Sequence, residues 1–391
     1  MKKRNTKGEG STYKDEKRKR WVSQYRWTDK QGKKHKKTFV AKKKSEAQLK
    51  LNEFKKGLNL SNLKSGNNPL FREYAEIWLY NDLIKQLVDS SFARKKQTFD
   101  YQVFPIIGDI PMEDITHTDV QNMINQLDKQ GYSYSSIVKA KQCVNGTFRK
   151  YRVEFHYLID PCENIILPKK KKKDQADIKY FDKEQRQLIK EGALRKHKTG
   201  QSVYRMGCLI VVLMYTGMRV GELLGLKWEN VNFDDKTIKV DRTASQITVD
   251  ENGNIHYNQT IKDRTKTQSA YRFVPMNNET VKALKIAQSV TGNCEYICTT
   301  KNGKLMTESN IYRMLQNIQL YMVIAESKQD CLGVHALRHT FASMMFQNNC
   351  PVKIVSEILG HADTKVTENT YIHLIDEQKA KAIENIDEFS D

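Results

Sequence analysis

Six side chains in the C-terminal half of this 391-residue chain could together handle a phosphodiester: Arg219, Lys266, His335, Arg338, His361 and Tyr371. Planar guanidinium groups neutralise the non-bridging oxygens of a pentavalent phosphate through paired hydrogen bonds. A tyrosine hydroxyl can attack phosphorus and hold a covalent intermediate. A lysine can protonate a leaving 5′-oxygen, and histidines can accept or share protons. With these groups the reaction would need neither a metal ion nor another cofactor. Taken singly, each has a plainer reading. Arg219 and Glu222 are three apart, the spacing of a surface ion pair. A lysine beside a hairpin tip is usually solvated surface, and a lone tyrosine near a C-terminus is ordinarily packing. His335 and His339, at i and i+4, invite a zinc reading. However, no Glu follows the first histidine, no third ligand is in view, and Cys294 and Cys298 lack a partner pair at finger-like spacing.

The elements that must position these groups read as a mixed α/β region from Tyr180 onward. Residues 182–195 and 202–216 have helical patterning, and the run from Cys208 to Leu213 marks the second as a core helix. Gly217 breaks it, and a new helix opens with Arg219 in its first turn. Strands follow at Thr237 to Arg242 and Ala270 to Pro275. Between them lies a hairpin, 247–257, around Asp250-Glu251-Asn252-Gly253. Lys266 falls in the turn Thr265 to Ser269. The stretch from Gly333 to Ala342 opens a helix with Leu337, Phe341, Met344 and Met345 available to the core. Ile354 to Leu359 forms another, stopped by Gly360 with His361 just beyond.

Upstream, residues 69–167 read as an all-α domain, with helices at 71–79, 92–104, 116–130 and 133–152. Lys139, Lys141, Arg149, Lys150 and Arg152 near its end could touch phosphates or simply be solvated. Residues 168–178, with Pro168 and five lysines, form a basic linker that nucleic acid would attract, although a nuclear-import signal looks similar. The net charge is +20 and the pI about 9.4. Residues 1–56 hold 21 Lys or Arg against 6 Asp or Glu, so most of the excess lies there. A solvated tail would explain that charge, but the pattern argues for a folded module. Arg20 to Trp27 alternates, with Trp21, Tyr25 and Trp27 placed for a strand. Asp29 to Gly32 signals a turn, Lys34 to Val40 returns, and Lys44 to Lys56 reads as a helix. A basic strand pair of this kind can enter a DNA groove. Arg20, Trp21, Tyr25, Arg26, Lys34, Lys36 and Lys37 are the candidate contacts, with Lys139 and Lys141 on the helical domain.

Composition narrows the classes. Hydrophobic residues make up 39%, and mean hydropathy is −0.68. No run approaches the ~20 apolar residues of a bilayer span, and Met1-Lys2-Lys3-Arg4 has no apolar stretch behind it. Seven scattered cysteines read as reduced thiols. These features point to a cytoplasmic, nucleoid-associated protein with a polyanion as first partner.

Thr216-Gly-Met-Arg219-Val-Gly-Glu222-Leu-Leu-Gly-Leu, His335-Ala-Leu-Arg338-His339-Thr340-Phe341-Ala342, Leu359-Gly-His361 and Thr370-Tyr371-Ile-His373 resemble the signature boxes of tyrosine recombinases of the phage-integrase type. The boxes stand in the family's order and at its approximate spacing. The resemblance covers about residues 175–391 best and extends by pattern to the helical domain, which is similar to the family's core-binding domain. The basic N-terminus is similar to the arm-type DNA-binding domains of integrases from phages and conjugative elements. The implied layout is a small N-terminal β-sheet-plus-helix module (1–58), a helical core-binding domain (69–167), a basic linker (168–178) and a mixed α/β catalytic domain (179–391) with a tail at 376–391.

The resemblance implies that Arg219 and Arg338 bind the scissile phosphate and that Tyr371 is the nucleophile. Lys266 would be the general acid, with Lys262 as runner-up. His335 and His361 would assist proton transfer, and Glu222 would support the arginine. Tyr321 is out of order as a nucleophile, since it precedes the His-Arg box. The implied reaction is site-specific DNA integration and excision through a 3′-phosphotyrosine and a Holliday junction, without ATP; no P-loop is present. Implied partners are double-stranded DNA at core and arm sites and a homotetramer on DNA. Arm-binding integrases also commonly use a host DNA-bending protein and an excisionase. The tail would pack on a neighbouring protomer or fold back on its own domain. Two rivals stand beside this reading: a type IB-like topoisomerase and a non-catalytic DNA-binding regulator.

Overall fold

The structure is a computed structural model, and it describes residues 11–15, 18, 20–28, 34–51, 68–170, 179–263, 271–361, 363–372 and 375. The expectations for Lys266, for residues 171–178 of the linker and for the tail at 376–391 lie outside the described residues. The chain divides into two compact units, Met1–Gln175 with Val249–His256, and Ala176–Thr248 with Tyr257–Asp391. No helix among the described residues is long and apolar enough to cross a membrane.

The first unit begins with a three-stranded antiparallel sheet, β1 (Ser11–Asp15), β2 (Arg20–Thr28) and β3 (Lys34–Ala41), in that order. Two strands were legible from alternation. β1 was not, because Ser11-Thr-Tyr-Lys-Asp15 carries a single large apolar side chain. Pairing aligns Tyr13 with Val22 and Val22 with Val40, so Val22 is buried at the centre. A helix over 44–51, α1, places Ala47 and Leu51 in the interior.

The helical part follows. α2 (Phe71–Trp78) runs on through a π turn (Leu79–Leu83) to Gln86. α3 (Asp89–Thr98) likewise runs through a π turn (Phe99–Val103) to Ile107, so the stretch read as one helix at 92–104 is interrupted. α4 (His117–Lys129) starts at a capping box in which Thr116 and Asp119 satisfy each other's backbone N–H. α5 (Tyr134–Phe155) starts at Ser133 and stops at His156, which is left-handed. Aromatic rings form the core: Phe71, Tyr74, Phe99, Phe104, Phe148 and Tyr151 are all buried. Tyr74 meets Tyr151 edge-on at 5.0 Å, and their hydroxyls donate to Glu154 and Glu113. Val249–His256 groups with these helices. At its turn Gly253 (φ +75°) faces Tyr80 so closely that any side chain there would collide with the ring.

The second unit is built on α7 (Cys208–Thr216), buried on all sides as its unbroken apolar run requires. The expected helix at 202–216 therefore begins six residues later. α6 (Lys183–Leu194), α9 (Asn278–Thr291), α10 (Glu308–Tyr321) and α11 (His335–Gln347) share one core with it. α8 (Val220–Leu224) follows α7 directly. β4 (Val231–Asn232), β5 (Thr237–Val240) and β10 (Arg272–Pro275) form an antiparallel sheet in the order β10-β5-β4. β6 (Arg242–Ser245) pairs with β9 (Thr260–Asp263), while β7 (Thr248–Val249) and β8 (Ile255–His256), which group mainly with the first unit, make the expected hairpin. α12 (Val352–Leu359) and a helix over 364–372, α13, complete the unit.

Candidate active site

Two helix ends and one strand build the centre of the second unit. α7 ends at Gly217 in the left-handed conformation (φ +62°), and Arg219 caps the start of α8. A β-carbon at Gly217 would sit 2.5 Å from the Phe341 ring, so the turn closes only with glycine. α12 ends at Gly360 (φ +69°), where a β-carbon would lie 2.8 Å from the Arg272 guanidinium.

These turns bring two arginines to one carboxylate. Glu222 is 1% exposed. It accepts from Nη1 of Arg219 at 2.9 Å and from the Arg219 backbone N–H at 2.9 Å. Arg272 donates to both its oxygens, at 3.2 and 2.7 Å. Arg272 Nε donates to the Ile358 carbonyl, and Arg219 Nη2 to the Gly360 carbonyl. Glu222 thus fixes the direction of Arg219 and leaves that guanidinium about one-third exposed, while Arg272 is sealed beneath.

Arg338 is buried on α11 and donates to the Gly217 carbonyl at 2.8 Å and to His361 Nε2 at 2.8 Å. A guanidinium cannot accept, so His361 Nε2 is the acceptor and its hydrogen sits on Nδ1, which donates to Thr367 Oγ1 at 2.7 Å. Burial, then the neighbouring Arg219, holds the Arg338 guanidinium down to about 9. Burial followed by the arginines likewise pushes His361 down to about 4, so its imidazole is neutral at pH 7. A buried cation crowded by other cations is a site waiting for an anion. His335, at the start of α11, is exposed to solvent on one side, and desolvation by its surroundings, then Arg338 and Arg219, lowers its pKa.

Tyr371, on α13, is 2% exposed and packs against Phe346 at 5.5 Å between ring centroids. Its hydroxyl lies 2.7 Å from His339 Nδ1. Burial pushes the phenol up to about 12, with Arg338 pulling the other way.

The structure therefore gathers Arg219, Glu222, Arg338 and His361 directly, with His335 on the same helix as Arg338 and Tyr371 near Arg338. Lys266 lies outside the described residues. Lys262, on β9, pairs in register with Thr243. Three contributors were not singled out by sequence: Arg272, His339 and Thr367. Arg272 carried a signal, because the alternation of Arg-Phe-Val-Pro places it with Val274 on the buried face. His339 was weighed only as a metal ligand.

The candidate DNA contacts of the first unit divide into two groups. Arg26, Lys36, Lys37 and Lys139 are exposed, and Arg26 stands opposite Lys36 across the β2–β3 ladder. Like charges so paired repel until an anion neutralises them. Arg20 pairs with Asp15 at 3.5 Å, Lys44 lies over Trp21 and Lys141 donates to the Ile165 carbonyl. Tyr25 is partly buried, its phenol raised by burial and then by Glu73 and Glu76. The backbone of Lys34 pairs with Thr28, and its side chain lies outside the described set.

Comparison with known proteins bears on this arrangement. Residues 180–378 match the phage integrase family, and residues 70–127 match the N-terminal SAM-like domain of phage integrases. A XerC-like tyrosine recombinase of Caldanaerobacter subterraneus is 30% identical over 385 residues, covering 92% of this chain and 93% of its own. A probable integrase of prophage ps2 in Lactococcus lactis is 27% identical, covering 89% and 90%. The fold is similar to the Tn1549 transposon integrase (residues 82–397) solved in complex with transposon right-end DNA. That match has a TM-score of 0.65 and 20% identity, over 80% of this chain and 98% of the other. The chain belongs to the phage integrase family. It is a tyrosine recombinase, a DNA-recombining enzyme, and the family assignment supports that reading rather than the topoisomerase or regulator.

Proposed function

We propose that Tyr371 attacks a DNA phosphodiester held by Arg219 and Arg338, forming a 3′-phosphotyrosine and releasing a 5′-hydroxyl. The observation that carries this reading is the convergence of two arginines, oriented by a buried Glu222 and by main-chain carbonyls, with Tyr371 close enough for Arg338 to pull its phenol down against the rise from burial. The non-bridging oxygens would take the free guanidinium donors. His361, held as a neutral donor-acceptor by Thr367, would relay hydrogen bonding to the phosphate together with His335. Lys266 would protonate the leaving oxygen. The freed hydroxyl then attacks the phosphotyrosine of the partner duplex, so the bond energy is conserved and the strands exchange by way of a Holliday junction.

The exposed basic strand pair supports binding of arm-type DNA, and the Lys139 face supports core-site binding. The Tn1549 integrase solved in complex with transposon right-end DNA supports double-stranded DNA as the substrate here. The complex of lambda integrase, a tetramer on a Holliday junction, supports a tetramer. A host bending protein and an excisionase fit the three-part layout, as does residence on the nucleoid.

The test is a suicide-substrate assay, in EDTA, with DNA from the ends of the element that encodes the chain. The wild type should give an SDS-stable protein–DNA adduct, and Tyr371→Phe should lose it by at least about 10⁴-fold. An adduct that persists in Tyr371→Phe moves the nucleophile elsewhere.

A further inference from the structure

The hydroxyl of Tyr371 has one close polar neighbour in the described structure, His339 Nδ1 at 2.7 Å. The two rings are 5.8 Å apart between centroids. Both are anchored on their own helices: Tyr371 against Phe346, and His339 one turn beyond His335, whose ring is 6.2 Å away. Arg338 and His361 occupy each other, so neither of His361's ring nitrogens is turned to the tyrosine. A phenol cannot attack phosphorus while keeping its proton, and the nearest base to receive it is the imidazole already touching it.

We propose that His339 is the proton acceptor for the Tyr371 nucleophile, a catalytic residue distinct from His335 and His361. This rests on the reading of Tyr371 as nucleophile. As Tyr371 Oη bonds to phosphorus and the bond from phosphorus to the 5′-oxygen breaks, the phenolic proton passes to His339 Nδ1. The leaving 5′-oxygen takes a separate proton from the general acid. On rejoining, the imidazolium returns its proton to Tyr371 as the phosphotyrosine bond breaks. The tautomer required carries its hydrogen on Nε2 and leaves Nδ1 free to accept. The groups facing His339 are His335 and Arg338 on its own helix, His361 after α12 and Tyr371 on α13. Burial, then His335 and Arg338, holds the ring down to about 4, so it is neutral at pH 7.

The experiment uses the full chain in single-turnover cleavage of a nicked duplex carrying the element's end sequence, comparing wild type, His339→Asn, His339→Ala and Tyr371→Phe. Asparagine can hold a hydrogen-bonding atom where Nδ1 stood but cannot take up a proton. Cleavage by His339→Asn should fall about 10²-fold at pH 7. Its rate should then rise about tenfold per pH unit, following phenol ionisation, while the wild type stays flat from pH 7 to 9. On a duplex with sulfur at the 5′-bridging position, whose leaving group needs no proton, the defect should persist. A wild-type rate or a wild-type pH profile in His339→Asn overturns the proposal, as does relief of the defect by the sulfur substrate, which would make His339 an acid. Normal DNA retention by His339→Asn in a gel shift establishes that it is folded. If His339→Asn fails that control, His339→Ala is read by the same criteria. Survival of the adduct in Tyr371→Phe would instead sink the nucleophile reading, separately from any result at His339.

Discussion

The helical part of the first unit and the centre of the second solve opposite problems. The helices bury aromatic rings and leave their charges at the rim: Phe71, Phe99, Phe104 and Phe148 fill the interior, and the buried tyrosines reach outward to carboxylates. The catalytic centre instead buries charge. Glu222, Arg272 and Arg338 are each less than a tenth exposed, and polar contacts to turns hold them. An aromatic core that loses a ring is left with a cavity but no unpaired charge. A buried ionic cluster that loses a member is left with charges that retain their full desolvation cost.

The sharpest way to break this comparison is a matched pair of substitutions. Phe148→Ala should destabilise the helical unit by about 3–5 kcal/mol through its cavity, yet leave the cleavage rate of folded, DNA-bound enzyme unchanged. Glu222→Gln should cost a similar amount, about 3–5 kcal/mol, and also slow cleavage, since Arg219 loses the group that aims it. Denaturant titration and single-turnover rates measure both. Equal rate losses in the two variants would erase the distinction.

Two glycines sharpen it further. Gly131, between α4 and α5, has φ +81° and nothing within 4 Å of a β-carbon, so Gly131→Ala should cost only about 1 kcal/mol of backbone strain. Gly360→Ala adds a collision with Arg272 to the same strain. It should lower the melting temperature more and slow cleavage about tenfold. A further effect is in pH. His339 and His361 are both held down to about 4, below their unfolded value near 6.5. As pH falls below about 6.5 the unfolded chain takes up these protons first, so stability should decline from there toward about pH 4. Calorimetry in a pH series should show the decline, made shallower by His361→Asn.

Legibility followed the same division. The amphipathic helices could be read because one repeating face is apolar, and the catalytic boxes because glycines and charged residues recur at fixed offsets. The π turns after Trp78 and Thr98 could not, since they preserve helical composition while shifting phase. The role of Arg272 was half visible in strand alternation. That of His339 was not: a histidine four residues from another says only that they share a face, and its partner lies 32 residues away. Lys266, expected as the acid, lies outside the described residues, so its place in the site rests on the family resemblance.

The hydrogen bonds that close the proposed phosphate pocket join residues far apart in synthesis. Arg219 meets the carbonyl of Gly360, 141 residues later, and Arg272 meets that of Ile358, 86 later. A ribosome making this chain would finish the basic sheet and the helical bundle long before the pocket could close. The first unit is therefore complete while the proposed site is still open, and the pocket closes only with the last part of the sequence.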